Sequence, residues 1–341
     1  MTGTGHPGHE TGKAGRRARL LALVSTALLS PAAAAQARDI LLGLPLTCDL
    51  ATTCFVQNHV DRDPGPGAAD YTCALQSYDG HDGTDFALPD LAMMVTGVDV
   101  VASAPGTVKG LRDGEPDALQ GVPGAPDVRD KECGNGVVID HGGGWETQYC
   151  HMKQGSVTVA PGLRVRMGQK LGQVGLSGQT EFAHVHLTVR HGGVALDPFH
   201  PEDVLICGTA PDHSLWLDPP PYQPGGIIAA GFATDIPTFA AIKAGMPVQT
   251  TLPASAPALV LWVHLFGSRQ GDQVRLILTG PTGPVLDETQ LIEKPQARLF
   301  RAAGKRLTKT QWPPGPYVGT ATLTRGSSEI DRQTVTLTIG P

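Results

Sequence analysis

The stretch Phe182-Ala183-His184-Val185-His186-Leu187-Thr188-Val189-Arg190 alternates polar and apolar side chains with a period of two. This period predicts a half-buried β-strand, because successive side chains of a strand point to opposite faces. One face carries the imidazoles of His184 and His186, and the other carries aliphatic side chains that we expect to pack into a core. Two imidazoles on one face can serve one site, one binding a metal and one exchanging protons. The alternative interpretation is a pair of surface histidines on an edge strand.

The same pattern of strands and turns extends over much of the 341-residue chain. Glycine contributes 43 residues and proline 29, whereas charged residues make up only 17% and aromatic residues 5%. A helical bundle or coiled coil needs far more Glu, Lys, Leu and Ala, so the composition disfavours those classes. We therefore predict an all-β protein whose strands are mostly antiparallel.

Residues 1–37 have the organisation of a cleaved signal peptide. Basic residues precede an apolar run from Leu20 to about Leu29, and Ala35-Gln36-Ala37 has the small-x-small form of a signal-peptidase site. The apolar run is far shorter than the ~20 residues that span a bilayer, so we expect no transmembrane anchor. We predict export, either to the periplasm of the cell envelope or as a secreted protein. The exported part is acidic and has no basic cluster, which argues against a nucleic-acid partner.

A proline-rich joint divides the exported chain into two predicted domains. Residues 38–207 are rich in glycine, with short strands between turns, and residues 208–226 form a Pro/Gly-rich linker. Residues 227–341 contain recurrent alternating patterns such as Val335-Thr336-Leu337-Thr338-Ile339. About seven such strands predict an immunoglobulin-like β-sandwich. We expect this second domain to position the first one, to target a substrate or to bind a protein partner.

All six cysteines lie in the exported part, where an even number predicts disulfide bonds: Cys48, Cys54, Cys73, Cys133, Cys150 and Cys207. One pair can be argued from local structure. The predicted strands Val137–Asp140 and Thr147–Met152, joined by a turn at residues 141–144, bring Cys133 and Cys150 roughly opposite each other. The connectivity of the other four stays open. A thiolate metal site is the rival interpretation, but the chain has no Cys-x-x-Cys spacing.

Two further segments carry residues capable of chemistry. His81 and Asp85 lie four residues apart around a glycine, and imidazole and carboxylate are both good zinc ligands. His151 follows Tyr149 and Cys150 in a predicted strand, so we expect Tyr149 and His151 to point away from Cys150. Taken alone, the first segment also suits a solvated turn and the second an ordinary strand histidine.

Taken together and in this order, the segments resemble the lysostaphin-like zinc endopeptidases, also called the LytM-type peptidases. The resemblance extends over about residues 78–199. Its five parts are His81 with Asp85 before Phe86, Gly136–Gly142 leading to Tyr149 and His151, Pro161-Gly162 to Gly168-Gln169, Gly175 to Gly178, and His184 with His186. The usual Pro-His-Leu-His reads Ala183-His184-Val185-His186 here. Residues 111–132 look like an insertion, which we expect to reshape the substrate groove.

This resemblance implies a zinc-dependent metallo-endopeptidase that hydrolyses peptide bonds of peptidoglycan cross-links or stem peptides. It implies that Zn²⁺ is held by His81, Asp85 and His186, with His184 and His151 as the catalytic pair. Three protein ligands leave a fourth position for a water molecule whose pKa zinc lowers. We expect His184, or in second place His151, to accept the proton of that water, and the other imidazole to help stabilise the oxyanion.

Three alternatives remain open. The chain could be a catalytically silent member that binds cell-wall peptide and activates another hydrolase, or a zinc peptidase that acts on proteins. The sandwich could also be the working part, as an adhesion module beside a vestigial peptidase domain. Silent members typically lose metal ligands or catalytic histidines, whereas all five positions are filled here, which favours an enzyme.

Overall fold

The computed structural model describes residues 1–12, 39–50, 52–202, 207 and 213–340. The chain divides into two compact units, Met1–Arg38 and Asp39–Pro341. Most of the predicted signal peptide, and residues 208–212 of the predicted linker, lie outside the described residues. Among the residues that are described, no helix combines the length and apolar character needed to cross a membrane.

The regular secondary structure of the described residues is almost entirely β-strand, which confirms the predicted all-β class. Ten strands belong to what we call the N-terminal region (residues 39–225): β1 (Phe55–Asn58), β2 (Thr84–Ala87), β3 (Asp99–Val101), β4 (Gly106–Arg112), β5 (Asn135–Gly142), β6 (Trp145–Met152), β7 (Arg164–Val165), β8 (Lys170–Gln173), β9 (His184–His191) and β10 (Val194–Leu196). Eight strands belong to what we call the sandwich (residues 226–340): β11 (Gly226–Ala233), β12 (Thr251–Pro253), β13 (Ala258–Ser268), β14 (Gln273–Gly280), β15 (Gly283–Leu291), β16 (Gln296–Arg306), β17 (Gly315–Arg325) and β18 (Ser328–Gly340). The two described helices are short: α1 (Leu91–Thr96) and α2 (Phe239–Gly245).

The N-terminal region is organised around β9. Eight strands form one sheet in the order β1-β2-β9-β6-β5-β4-β7, with β10 beside β9, and β3 pairs separately with β8. Neighbouring strands are antiparallel. Val185, Leu187 and Val189 are fully buried in the first hydrophobic core, as the alternation of β9 predicts. The polar face of β9 is therefore held in place by the opposite, apolar face.

The hairpin of β5 and β6 is tighter than the sequence predicts. Both strands are longer than expected, and the turn shrinks from four residues to Gly143-Gly144. Both glycines have positive φ, 63° and 87°, which two-residue hairpin loops of type I′ require. At the open end of this hairpin, Cys133 and Cys150 form a disulfide.

Every cysteine of the chain is paired in the structure. The two bonds besides Cys133–Cys150 are Cys48–Cys54 and Cys73–Cys207, a connectivity that the sequence left open. Cys73–Cys207 joins positions 134 residues apart and so connects the beginning and the end of the N-terminal region. Three disulfides fit an oxidising compartment.

The sandwich consists of a three-stranded sheet, β11-β13-β16, and a five-stranded sheet, β12-β18-β17-β14-β15. All its strand pairs are antiparallel except β12 with β18. A second core lies between the two sheets, with Leu259 and Leu261 of one sheet and Leu276 and Leu323 of the other fully buried. The predicted sandwich is thus present, with eight strands instead of about seven. The division of the chain into domains at residues 207 and 227 stays a prediction, since Asp39–Pro341 is one compact unit.

A buried hydroxyl in the first core gives the first testable prediction. Tyr149 is fully buried, and its hydroxyl accepts the N–H of Ser103 (2.6 Å) and the hydroxyl of Thr147 (3.1 Å). Tyr149→Phe leaves the Ser103 N–H without its partner, so we expect a loss of about 1–3 kcal/mol in the free energy of unfolding, measured in urea by circular dichroism.

Tyr317→Phe is the control for this prediction. The Tyr317 hydroxyl donates only to the half-buried carbonyl of Pro313, which water can reach in its place. We expect a loss below about 1 kcal/mol for this variant. An equal, small loss in both variants would contradict the importance of the Ser103 contact.

Candidate metal centre

Three side chains that can bind a metal converge where β2 lies between β1 and β9. Asp85 of β2 is directly opposite His186 of β9, and His81 lies in the loop that leads into β2. The converging atoms are His81 Nε2, Asp85 Oδ1 and His186 Nδ1, which lie 2.9–3.2 Å from one another. His81 and Asp85 are buried, and the side chain of His186 is only 11% exposed. The predicted ligand set is therefore brought together in one place.

The outer nitrogen of each imidazole is occupied by a hydrogen bond, which leaves the inner nitrogen for a cation. His81 Nδ1–H donates to the carbonyl of His59 (2.6 Å). His186 Nε2–H donates to Asp82 Oδ1 (3.1 Å). Such outer contacts fix the tautomer and the orientation of metal-binding histidines. In the neutral form, both imidazoles thus present a lone pair at the point where the three side chains meet.

The third side chain, Asp85, is held as an anion. Burial by itself raises the pKa of Asp85, but the neighbouring imidazoles of His81 and His184 outweigh it and hold that pKa well below its usual range. Oδ2 accepts a hydrogen bond from Asn58 Nδ2 (2.8 Å), and Oδ1 stays among the imidazoles. Two imidazole nitrogens and one carboxylate oxygen form a donor set that catalytic zinc sites use. The residues present therefore fit a zinc ion.

Two more imidazoles lie beside this centre. The ring centroids of His151 and His184 are 4.6 Å apart. His184 Nδ1 lies 3.0 Å from the carbonyl of Phe182 and 3.1 Å from the hydroxyl of Thr180, and His151 Nδ1 lies 2.9 Å from the carbonyl of Ser177. Because a carbonyl only accepts, each Nδ1 carries a hydrogen, and each Nε2 is left for the site.

His151 reaches the site because its backbone departs from the strand conformation. In β6, Cys150 is paired with His186 on the site face, and Tyr149 is buried in the core. Continued alternation would send His151 into the core, but its φ of 60° turns the side chain back to the site face. The expectation that His151 points away from Cys150 is therefore wrong. The disulfide at Cys150 and the hydrogen bond from His151 N–H to the Cys133 carbonyl (2.8 Å) hold this conformation, which costs about 1–3 kcal/mol by itself.

The two histidines at the edges of the cluster have opposite protonation preferences. Burial, followed by the charges of His184 and His186, lowers the pKa of His151 well below its usual value, so His151 is neutral. Burial also disfavours a charge on His186, but the hydrogen bonds to Asp82 and Asp85 outweigh it and raise the pKa of His186 to about 9. Without a metal, His186 therefore carries a proton at neutral pH.

The cluster opens into a groove of about 250 Å³. Its walls combine hydroxyl, amide and charged side chains, including Tyr78, Glu132, Gln148, Gln179, Thr188 and Arg190. Glu132 is the last residue of the predicted insertion, so this segment does contribute to the groove. Tyr78 is half exposed and packs on His81, with ring centroids 4.5 Å apart.

Several residues of the site were not predicted from the sequence. Asp82 lies inside the quoted His81–Asp85 motif, and an acid beside a metal motif is a signal that could have singled it out. Asn58 and His59 lie more than 20 residues before the ligands they contact. Nothing in their local sequence marks them, because their contacts exist only once β1 pairs with β2.

Comparison with known proteins supports the interpretation of this region. Residues 79–198 match the family described as Peptidase family M23. This match confirms the resemblance to the LytM-type peptidases over that part of the chain.

Similar solved structures include a mutant catalytic domain of the prophage-encoded M23 protein EnpA from Enterococcus faecalis (22% identity, 47% of this chain and 94% of that chain, TM-score 0.31). They also include the catalytic domain of the antimicrobial peptidase lysostaphin from Staphylococcus simulans (22% identity, 35% and 76%, TM-score 0.26) and a complex of SpoIIIAH and SpoIIQ (21% identity, 46% and 96%, TM-score 0.33). With TM-scores this low, these likenesses carry no argument about the site.

The close packing of Gly83 against His186 gives a second prediction. A Cβ at Gly83 would lie 2.5 Å from His186 Nε2 and 2.7 Å from the backbone oxygen of Leu187. We expect Gly83→Ala to displace the His186 ring and to weaken zinc binding about 10–100-fold, measured by competition with a chelator. Gly110→Ala is the control, because a Cβ there meets open space. Unchanged zinc affinity in Gly83→Ala would contradict the proposed ligand geometry.

The proton on His186 gives a third prediction, on pH. A histidine binds a metal only as a neutral imidazole, so zinc binding has to release this proton whenever the pH is below the pKa of about 9. We expect the apparent association constant for zinc to rise about tenfold per pH unit up to about pH 9 and then to level off. Calorimetry in two buffers of different ionisation enthalpy counts the released protons.

Asp82→Asn is the matched variant for the pH experiment. It removes the carboxylate that raises the pKa of His186, so the rise in zinc affinity should end at a lower pH. A zinc affinity that stays constant below pH 9 in the unsubstituted protein would show that His186 does not give up a proton to the metal.

Proposed function

We propose that this protein is an exported zinc metallo-endopeptidase that hydrolyses peptide bonds of bacterial peptidoglycan, in its cross-links or stem peptides. The observation that carries the proposal is the convergence of His81 Nε2, Asp85 Oδ1 and His186 Nδ1 beside two further imidazoles. The M23 match over residues 79–198 supports peptidase chemistry at this place. The predicted signal peptide and the three disulfides support export.

Zinc supplies two things in such a site: it makes water a stronger acid, and it polarises a carbonyl group. His81, Asp85 and His186 would hold it. Three protein ligands leave room for a fourth, as a catalytic site requires. The groove beside the cluster gives a peptide access to that open side.

His184 is the proposed general base. Its Nδ1–H is held by the carbonyl of Phe182, and its Nε2 lies 3.3 Å from Asp85 Oδ1, so the accepting nitrogen faces the centre. It takes a proton from the attacking water at Nε2 and then, as an N–H donor, gives that proton to the leaving amine. Because Nδ1 is held by the Phe182 carbonyl, the ring moves a proton at Nε2 without turning.

His151 is proposed to orient the attacking water. The sequence led us to expect that the second imidazole would help stabilise the oxyanion, which requires an N–H at Nε2. Here the proton of the neutral ring lies on Nδ1, where Ser177 accepts it. His151 Nε2 is therefore an acceptor, and its lowered pKa makes it a poorer base than an unperturbed imidazole.

The decisive experiment compares three histidine variants of the exported, disulfide-bonded chain. Zinc per chain is measured first, and cross-linked peptidoglycan is then digested and the released fragments are identified by mass spectrometry. We expect His184→Ala to keep zinc and to lower kcat/KM about 10²–10⁴-fold, because only the proton acceptor is lost. We expect His186→Ala to lose both zinc and activity. His191→Ala, at the exposed far end of β9, should change neither.

The first two alternatives, a silent member and a peptidase that acts on proteins, predict different outcomes of this experiment. Bound zinc with no released fragments from any peptide would identify a silent binder. Cleavage of proteins but not of peptidoglycan would identify a peptidase with another substrate. A zinc content near zero in the unsubstituted protein would contradict the metal site itself.

A further inference from the structure

One cation of the sandwich reaches into the N-terminal region. Arg298 of β16 lies with its guanidinium carbon 4.2 Å from the ring centroid of Phe182 and 5.2 Å from that of Phe55. Its Nε donates to Gln57 Oε1 (2.9 Å), and one terminal nitrogen donates to the carbonyl of Leu88 (3.3 Å). All four partners belong to the N-terminal region, so this side chain joins the two parts of the molecule.

The guanidinium of Arg298 contacts neutral acceptors and aromatic rings. Desolvation lowers the pKa of Arg298 to about 9, so the group is still charged at neutral pH. Within the part of the chain that the structure describes, no carboxylate lies within ion-pair distance of it. An amide oxygen, a carbonyl oxygen and the faces of two aromatic rings contact the guanidinium instead, and the more distant charges of Asp85 and Asp90 oppose the fall in its pKa.

Phe182 connects this cation with the proposed general base. Its ring is stacked on the imidazole of His184, with centroids 4.4 Å apart and planes inclined by 28°. Its carbonyl accepts the Nδ1–H of the same imidazole (3.0 Å). Phe182 therefore supports the plane of the His184 ring and, together with the Thr180 hydroxyl, the nitrogen that carries the hydrogen.

The segment that contains Phe182 is held by local contacts and by Arg298. The Thr180 hydroxyl donates to the Phe182 carbonyl (2.7 Å) and accepts the Phe182 N–H (3.3 Å), and the Phe182 ring packs against a small apolar cluster that includes Phe55 and Phe266. The segment belongs to an irregular turn before β9, so no strand ladder holds it. Arg298 holds it twice: directly through the Phe182 ring, and indirectly through Leu88. The N–H of Leu88 donates to the carbonyl of Ala183 (2.9 Å), while the carbonyl of Leu88 accepts from Arg298.

We propose that Arg298 is a positioning residue for His184. By holding Phe182 in place, it keeps His184 in the Nδ1–H tautomer that turns Nε2 toward the metal centre. The inference rests on the proposed function, in which His184 is the proton acceptor. The sandwich then forms part of the frame of the active site, in addition to any role in targeting or partner binding.

The experiment compares Arg298→Met, which keeps the length but removes the charge and the donors, with Arg298→Lys, which keeps the charge. In zinc-loaded protein with ¹⁵N-labelled histidine, long-range ¹H–¹⁵N correlation spectra report which nitrogen of His184 carries the hydrogen. We expect one tautomer in the unsubstituted protein and a mixture in Arg298→Met. We expect kcat on the cleaved peptide to fall about 10–100-fold with KM nearly unchanged, and Arg298→Lys to recover part of both effects.

Two controls separate positioning from general support. Arg301 lies on the same strand as Arg298, and its guanidinium donates to the carbonyl of Phe300 within the sandwich. We therefore expect Arg301→Met to leave the His184 tautomer and kcat unchanged. Phe182→Leu removes the aromatic ring that contacts both Arg298 and His184. If Arg298 acts through Phe182, adding Arg298→Met to Phe182→Leu should cause little further loss of kcat. The zinc content should be the same in all variants.

The outcomes distinguish this inference from the proposed function. A lower melting temperature in Arg298→Met, with the His184 tautomer and kcat unchanged, would show that Arg298 only joins the two parts and would overturn the inference. If the unsubstituted protein cleaves no peptide, the proposed function fails, yet the tautomer spectra still decide the role of Arg298. If Arg298→Met does not fold, an unchanged tautomer in Phe182→Leu overturns the inference instead.

Discussion

The rest of the structure depends on one buried carboxylate, that of Asp85, which faces His186 across β2 and β9. A buried charge is costly unless it is paired and hydrogen-bonded. Here imidazoles surround one oxygen of Asp85, and the amide of Asn58 holds the other. This arrangement requires β2 to lie between β1 and β9, which is the order the sheet has. The order of the strands places His186 opposite Asp85, and the loop before β2 brings His81 to the same carboxylate.

The site also stores backbone strain, which its surroundings must hold. His151 has a left-handed backbone conformation that side chains rarely adopt. The neighbouring disulfide Cys133–Cys150 and the carbonyls of Cys133 and Ser177 keep it there. The hairpin thus directs the imidazole of His151 toward the metal centre, whereas a regular strand would have buried it in the core. Strain of this kind commonly accumulates at functional sites.

The N-terminal region and the sandwich have separate hydrophobic cores, but specific polar and aromatic contacts join the two regions. Phe55 of β1 packs against Phe266 of β13, with ring centroids 4.4 Å apart and planes inclined by 37°. The side-chain amide of Gln57, in the same strand, donates to the carbonyl of Ala297. β1 also supplies the amide of Asn58 to the metal centre. The sandwich therefore packs directly behind the strand that stabilises the buried carboxylate. Packing of the sandwich against β1 suits a site in which five side chains must lie within a few ångströms of one another.

The resemblance to the LytM-type peptidases indicated the five site residues. From the residues themselves, the sequence determined the all-β class, the two faces of β9, and the opposition of Cys133 and Cys150. These features follow from local rules, since side-chain alternation and hairpin geometry act over a few residues. Tertiary structure alone decided the contacts of His59 and Asn58, the turn of His151 toward the site and the reach of Arg298 to Phe182. Those contacts join positions far apart in the chain, or oppose the local alternation, as at His151. They come into being only when strands from distant segments pack against one another.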